Sequence, residues 1–139
     1  MMSFTGTLHQ TIAPLTETVE HKEEGHAWEE AVVAQYSPHL LRRFAEIAAA
    51  FEAPGLHAAQ GAILACRRGP EGYRMVEYDA PDFIITLSII HGEARLTWRA
   101  GDATDDRRIT LETPEAAIDA ILLDAVAAYV TWRTAQASA

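Results

Sequence analysis

The chain has 139 residues and a formal charge of −9, a length that supports one domain with a single buried core. Twenty-six residues are alanine, so the 49 % hydrophobic share overstates the core-forming content; the 31 Leu, Ile, Val and Phe residues, about 22 % of the chain, still exceed the roughly 20 % associated with disorder. The acidic balance makes nucleic acid a poor partner, because binding to phosphate backbones draws on Lys and Arg, and the lone Cys66 excludes an internal disulfide, a CxxC pair and a multi-cysteine zinc site.

Charge is unevenly placed. Residues 17–30 hold six glutamates against Lys22, a net −5. The first fourteen residues have neither a basic n-region nor a continuous apolar run, so they do not read as a signal peptide. The most apolar helical stretch, 116–130, is interrupted by Asp119 and Asp124 and falls short of the roughly 20 residues that span a bilayer. A soluble, cytoplasmic protein without membrane contact is expected.

In chain order, residues 1–13 show no clear period and read as a flexible arm or a frayed helix. Pro14 is suited to the first turn of a short helix ending before Gly25. A second helix is expected over 26–36, with Trp28, Val32 and Tyr36 at four-residue spacing. Ser37-Pro38 supplies a capping residue and an N1 proline for a third helix, to about residue 52. Its apolar stripe is Leu40, Phe44, Ile47, Ala48 and Phe51.

From residue 61 the hydrophobic period changes to two. The clearest hairpin spans 82–100, with His91-Gly92 as a two-residue turn. That register sets Ile89 opposite Ala94, Leu87 opposite Leu96 and Ile85 opposite Trp98, leaving Ser88, Thr86 and Ile84 to pair with Arg95, Thr97 and Arg99. A one-residue slip mixes the two sets. Extending outward, strands at 62–68 and 73–78 are expected to place Ile63, Ala65, Val76 and Tyr78 on the apolar side, with Leu64 and Cys66 on the other. A last strand at 107–112 sets Ile109 beside Trp98 and Leu111 beside Leu96. Thr113-Pro114 then caps a final helix whose main stripe is Ile118, Ile121, Leu122, Ala125, Tyr129 and Trp132. A thinner second stripe, Ala120, Leu123, Ala127 and Val130, needs cover from the helix at 38–52 or from a second copy.

The fold class is therefore α+β, a two-layer sandwich of N-terminal helices, a five-stranded antiparallel meander and a C-terminal helix, in a single domain over 1–139. This order resembles that of the frataxin-like fold. The tryptophan-bearing strand motif of frataxins has no counterpart, since Trp98 stands in an Arg-Leu-Thr-Trp-Arg context, and the resemblance assigns no functional residue.

Two surfaces are candidates for function. Glu17, Glu20, His21 and Glu24 fall at i, i+3, i+4 and i+7 and share one helical face; a divalent metal would relieve the repulsion among them. Read without metal, the same face is a solvated acidic surface. The second candidate is the outer sheet face, where Met75, Ile84, Thr86, Ser88, Arg95, Thr97 and Arg99 form a surface too apolar for an ordinary solvated face, suited to a homodimer or another protein partner. A small-ligand or enzymatic pocket between helices and sheet is the remaining alternative. Catalytic signatures are missing: there is no Gly-x-Ser-x-Gly elbow, GxGxxG, Walker A sequence or HExxH. Cys66 has an arginine beside it, but no motif of a known nucleophile around it. A binding protein without catalysis, and with no cofactor beyond that possible metal, is the expected function.

Overall fold

The computed structural model describes the backbone of residues 4–52, 63–68 and 74–137, with side chains described at positions 4, 7, 8 and 11 and from 27 onward within those spans. Among the described residues the order is α1 (Phe4–Glu52), β1 (Ile63–Arg68), β2 (Arg74–Ala80), β3 (Phe83–Ile90), β4 (Glu93–Ala100), β5 (Ala103–Arg108) and α2 (Glu115–Ala137). The strands form one antiparallel meander in the order β1-β2-β3-β4-β5. Both helices lie on the same sheet face, as the α+β reading requires.

The first correction concerns the N-terminal third. Instead of an arm and three helices, there is one helix from Phe4 to Glu52, about 73 Å long at 1.5 Å per residue. An interior proline costs about 3 kcal/mol, yet α1 runs through Pro38. Ala34 and Pro38 are both exposed, so the carbonyl that loses its donor faces water. On the opposite side Val33, Tyr36, Leu40 and Phe44 are buried. Ser37 does not act as a cap; its hydroxyl donates back to the Val33 carbonyl at 2.5 Å. Continuous burial of the inner face thus outweighs the local breaker. Trp28, expected on that face, is 67 % exposed.

The central hairpin has the register that the alternation implies, with Leu87 opposite Leu96 and Thr86 opposite Thr97. His91 and Gly92 both have positive φ, 51° and 77°, which matches the right-handed twist of the flanking strands.

The outer strands differ from expectation. β1 is shifted by one residue, with Leu64 opposite Tyr78 and Cys66 opposite Val76. Leu64 and Cys66 therefore share the helix side, and Ile63, 57 % exposed, lies on the outer face with Ala65. The β1–β2 connection was the least constrained, because both short sets, 63/65 and 64/66, are apolar. β5 also begins earlier than its hydrophobic residues suggest. Gly101, with φ of 64°, makes a tight turn with Asp102, and the strand that follows is Ala-Thr-Asp-Asp-Arg-Arg. Trp98 faces Asp105 and Leu96 faces Arg107; Ile109 is buried just beyond the strand. Such charges on an edge strand discourage sheet-to-sheet association.

The core is aromatic at its centre. Phe83 of β3 stacks on Tyr129 of α2, with centroids 4.7 Å apart and planes at 9°. Phe51 of α1 meets both rings edge-on, at 6.1 and 5.4 Å. Tyr78 of β2 touches Phe83 at 5.2 Å and Phe44 of α1 at 5.9 Å. Burial pushes the Tyr78 phenol up to about 12. The loop before α2 is fixed from α1: the Tyr36 hydroxyl donates to the Thr113 carbonyl, and Gln35 Nε2 donates to the Leu111 carbonyl at 2.9 Å. Thr113 spends its own hydroxyl on the Thr110 N–H at 2.9 Å.

Two turn glycines give a contrast. A Cβ at Gly92 meets nothing within 4 Å, whereas one at Gly101 would overlap the indole of Trp132. Urea unfolding is expected to show Gly92→Ala destabilised by about 1 kcal/mol from positive φ alone. Gly101→Ala adds a packing clash and should lose roughly 2–4 kcal/mol. Equal losses in the two variants would refute the Trp132 contact.

Candidate functional site

The outer sheet face collects all seven residues singled out for partner or ligand binding. Met75 comes from β2, Ile84, Thr86 and Ser88 from β3, and Arg95, Thr97 and Arg99 from β4. Strand pairing sets Ile84 against Arg99, Thr86 against Thr97 and Ser88 against Arg95. Met75, Thr86 and Ser88 are no more than 9 % exposed.

Most charges on this face are already paired. Arg95 donates to Glu93 at 2.6 Å and to Asp106 at 3.0 Å. Arg67 pairs with the buried Glu77. Arg108 lies 3.7 Å from Glu93 and 4.0 Å from Glu29. Arg99 differs, since its one described bond is from Nε to the Gly101 carbonyl at 3.3 Å, and it forms no ion pair among the described residues. It stands in a shallow hollow of about 570 Å³ whose lining includes Ile84, Thr97, Thr104 and Asp106. The hollow thus combines an apolar wall, hydroxyls, one available guanidinium and the carboxylates of Asp105 and Asp106, which pair with Arg107 and Arg95.

A second concavity lies between α1 and α2. This groove, about 480 Å³, is walled by Ile47, Ala50 and Phe51 from α1 and Leu122, Leu123 and Val126 from α2, with Arg43, Glu46 and Asp119 at one end. Arg43 grips Asp119 through two bonds, Nε to Oδ1 at 3.0 Å and NH2 to Oδ2 at 3.1 Å, and reaches Glu46 at 2.8 Å. Bidentate, charge-assisted pairs of this kind fix orientation as well as distance. His39, 4 % exposed, places Nε2 2.8 Å from Asp119 Oδ1 and Nδ1 3.2 Å from Arg42 NH2. Nδ1 also lies 3.3 Å from Glu115 Oε2. With each ring nitrogen engaged, His39 serves to hold α1 against α2 and has no free position for general-base work.

Sequence periodicity identified the Leu123 and Val130 stripe but not this groove. Its other wall comes from α1, and only the tertiary arrangement places Ile47 and Phe51 across from Leu122 and Val126. Between the helices and the sheet, the place of the alternative small-ligand or enzymatic pocket, Tyr78, Phe83, Leu40 and Ile118 are under 2 % exposed.

The proposed metal ligands Glu17, Glu20, His21 and Glu24 lie in α1, but their side chains fall outside the described residues. Among the described residues no group of three or more His, Cys, Asp or Glu side chains is placed to hold a metal. No helix among them is long and apolar enough to cross a membrane. Comparison with protein-family models, with curated proteins and with solved structures finds no match for this chain.

The Arg43 hydrogen bonds, followed by that from His39, hold the Asp119 carboxyl below its ordinary 3.8. A depressed folded pKa means that the unfolded chain binds more protons in the interval between the two values. The stabilisation is therefore complete above 3.8 and is lost as pH falls through the lower folded value. Asp119→Asn should be less stable than wild type by about 1 kcal/mol at neutral pH, with the gap closing below 3.8. Urea melts at neutral pH and in acid check this; a gap independent of pH refutes it.

Proposed function

We propose that this is a small, cytoplasmic, non-catalytic binding protein whose working surface is the outer sheet face. The partner that fits is a protein surface with an apolar centre and a carboxylate placed for Arg99. One observation carries the reading: Arg99 is the cation of the hollow without an ion pair among the described residues, beside Ile84 and the hydroxyls of Thr97 and Thr104.

Charge balance favours a protein over a nucleic acid. The face carries Arg67, Arg95, Arg99 and Arg108 against Glu77, Asp79, Glu93 and Asp106, four of each sign. Phosphate recognition needs an excess of unpaired cations, and single-stranded recognition needs exposed aromatics for stacking. The described side chains of this face include no aromatic residue. Catalysis needs polar groups converging on a substrate, with a nucleophile or base free to act; here the polar groups are mostly bonded to one another.

Affinity capture of a partner followed by calorimetry with the purified pair provides the test. Arg99→Glu is expected to weaken binding at least tenfold, since it replaces attraction by repulsion at the centre of contact. Ile84→Asp should act in the same direction. The double substitution Glu20→Lys and Glu24→Lys should leave binding nearly unchanged. Binding lost in the glutamate variant and retained in Arg99→Glu would move the working surface to α1.

A further inference from the structure

The geometry points to a second copy of this chain as the occupant of the α1–α2 groove, seated through an antiparallel pairing of the two α2 helices. The groove is apolar along its walls, and the helix surface beside it is also unclad. Leu123 is 68 % and Val130 47 % exposed. With the half-buried Asp119, Val126 and Arg133 they follow alternating four- and three-residue steps along the groove side of α2, and the exposed Ala116, Ala120 and Ala127 flank that line. That spacing is the seam of a left-handed helix pair, and the alanines beside it let the axes come close. α1 does not cover this seam, so the requirement visible in the thin stripe is unmet within one chain.

Charge selects the occupant and its direction. α2 carries Glu115, Asp119 and Asp124 in its first half, and its only cation, Arg133, near its end. Arg133 makes no ion pair among the described residues; it reaches only the Tyr129 hydroxyl, at 3.4 Å. Asp119 and Arg133 lie seven positions before and after Val126, about two helical turns each way, and so share its side of the helix. A twofold axis at Val126 therefore sets Asp119 of each copy against Arg133 of the other. At the same place Glu46, whose side chain is 54 % exposed, shares Arg43 with Asp119, so two carboxylates stand against one cation of their own chain. Parallel pairing would instead align like charges. Asp124 falls on the far side, near Arg107 of its own chain, and does not enter the contact.

The result is a dimer with four helices inside and two sheets outside. α2 is about 34 Å long; with the adjoining α1 wall, it can supply the roughly 800 Å² per copy typical of stable association. Both outer sheet faces remain open. Self-association thus uses the helices, and the inference stands separately from the partner reading.

Sedimentation equilibrium of the full chain, from about 1 to several hundred micromolar, tests it, with circular dichroism to establish folding of each variant. The wild type is expected to be a dimer in the low micromolar range. Leu123→Glu should raise the dissociation constant by on the order of 100-fold, as for a residue central to an interface. Val130→Glu replaces it if Leu123→Glu does not fold. Arg133→Glu should weaken the dimer about tenfold, whereas Ile84→Asp and Arg99→Glu on the sheet should leave it intact. A wild type that stays monomeric throughout overturns the proposal, as does a dimer unaffected by the apolar variants. Sensitivity to Leu123→Glu with indifference to Arg133→Glu overturns the antiparallel pairing.

Discussion

Three elements distant in sequence meet at the stacked rings of Phe83 and Tyr129. Phe83 opens β3, Tyr129 sits in the later turns of α2, and Phe51 closes against both from the last turn of α1. Each ring buries a large apolar area, and aromatic pairs add about 0.5–1.5 kcal/mol beyond that area. The placement of both helices on one sheet face follows from this contact. It also makes the groove: α1 and α2 converge at Phe51 and at the Asp119–Arg43 clamp, and the wall between those points is left open to solvent.

Polar contacts position what the aromatic contact gathers. His39, Arg43 and Asp119 join the two helices at one end of the groove, while Tyr36 and Gln35 of α1 hold the carbonyls of the segment leading into α2. These bonds are individually modest, about 0.5–1.5 kcal/mol each for neutral groups. Their effect is geometric, since they fix where α2 begins and how its side chains face outward. The groove and the exposed seam of α2 follow from that start point.

The two surfaces have different character. On the sheet, ion pairs cross from strand to strand and leave Arg99 as the available cation, which suits selective contact with a partner carrying the matching charge. On α2 the surface is apolar, with opposite charges at opposite ends, the arrangement that self-complementary twofold contacts use. The two proposed contacts lie on opposite layers, so either can form without blocking the other.

Local chemistry in the sequence was enough for the α+β class, the five-strand meander, the register of the β3–β4 hairpin and the buried face of α2. In each case one face is more apolar than the other, so a slip or rotation carries a large penalty. It was not enough for β1, where apolar residues occupy both faces, or for β5, whose strand residues are mostly charged. Nor did it reveal the continuity of α1, because Pro38 reads as a break until Val33, Leu40 and Phe44 are seen packed on a sheet that lies later in the chain. The seven residues of the outer face could be grouped from alternation alone, but which arginine remained available could not. That depends on Asp106 and Glu77 arriving from neighbouring strands and on Glu93 turning to Arg95 and Arg108. The alanine, leucine and valine stripe of α2 was legible as a surface in need of cover; only the tertiary structure decided that α1 leaves it bare, because α1 is held to the sheet by its own buried face and turns toward α2 only at their aromatic and ionic contacts.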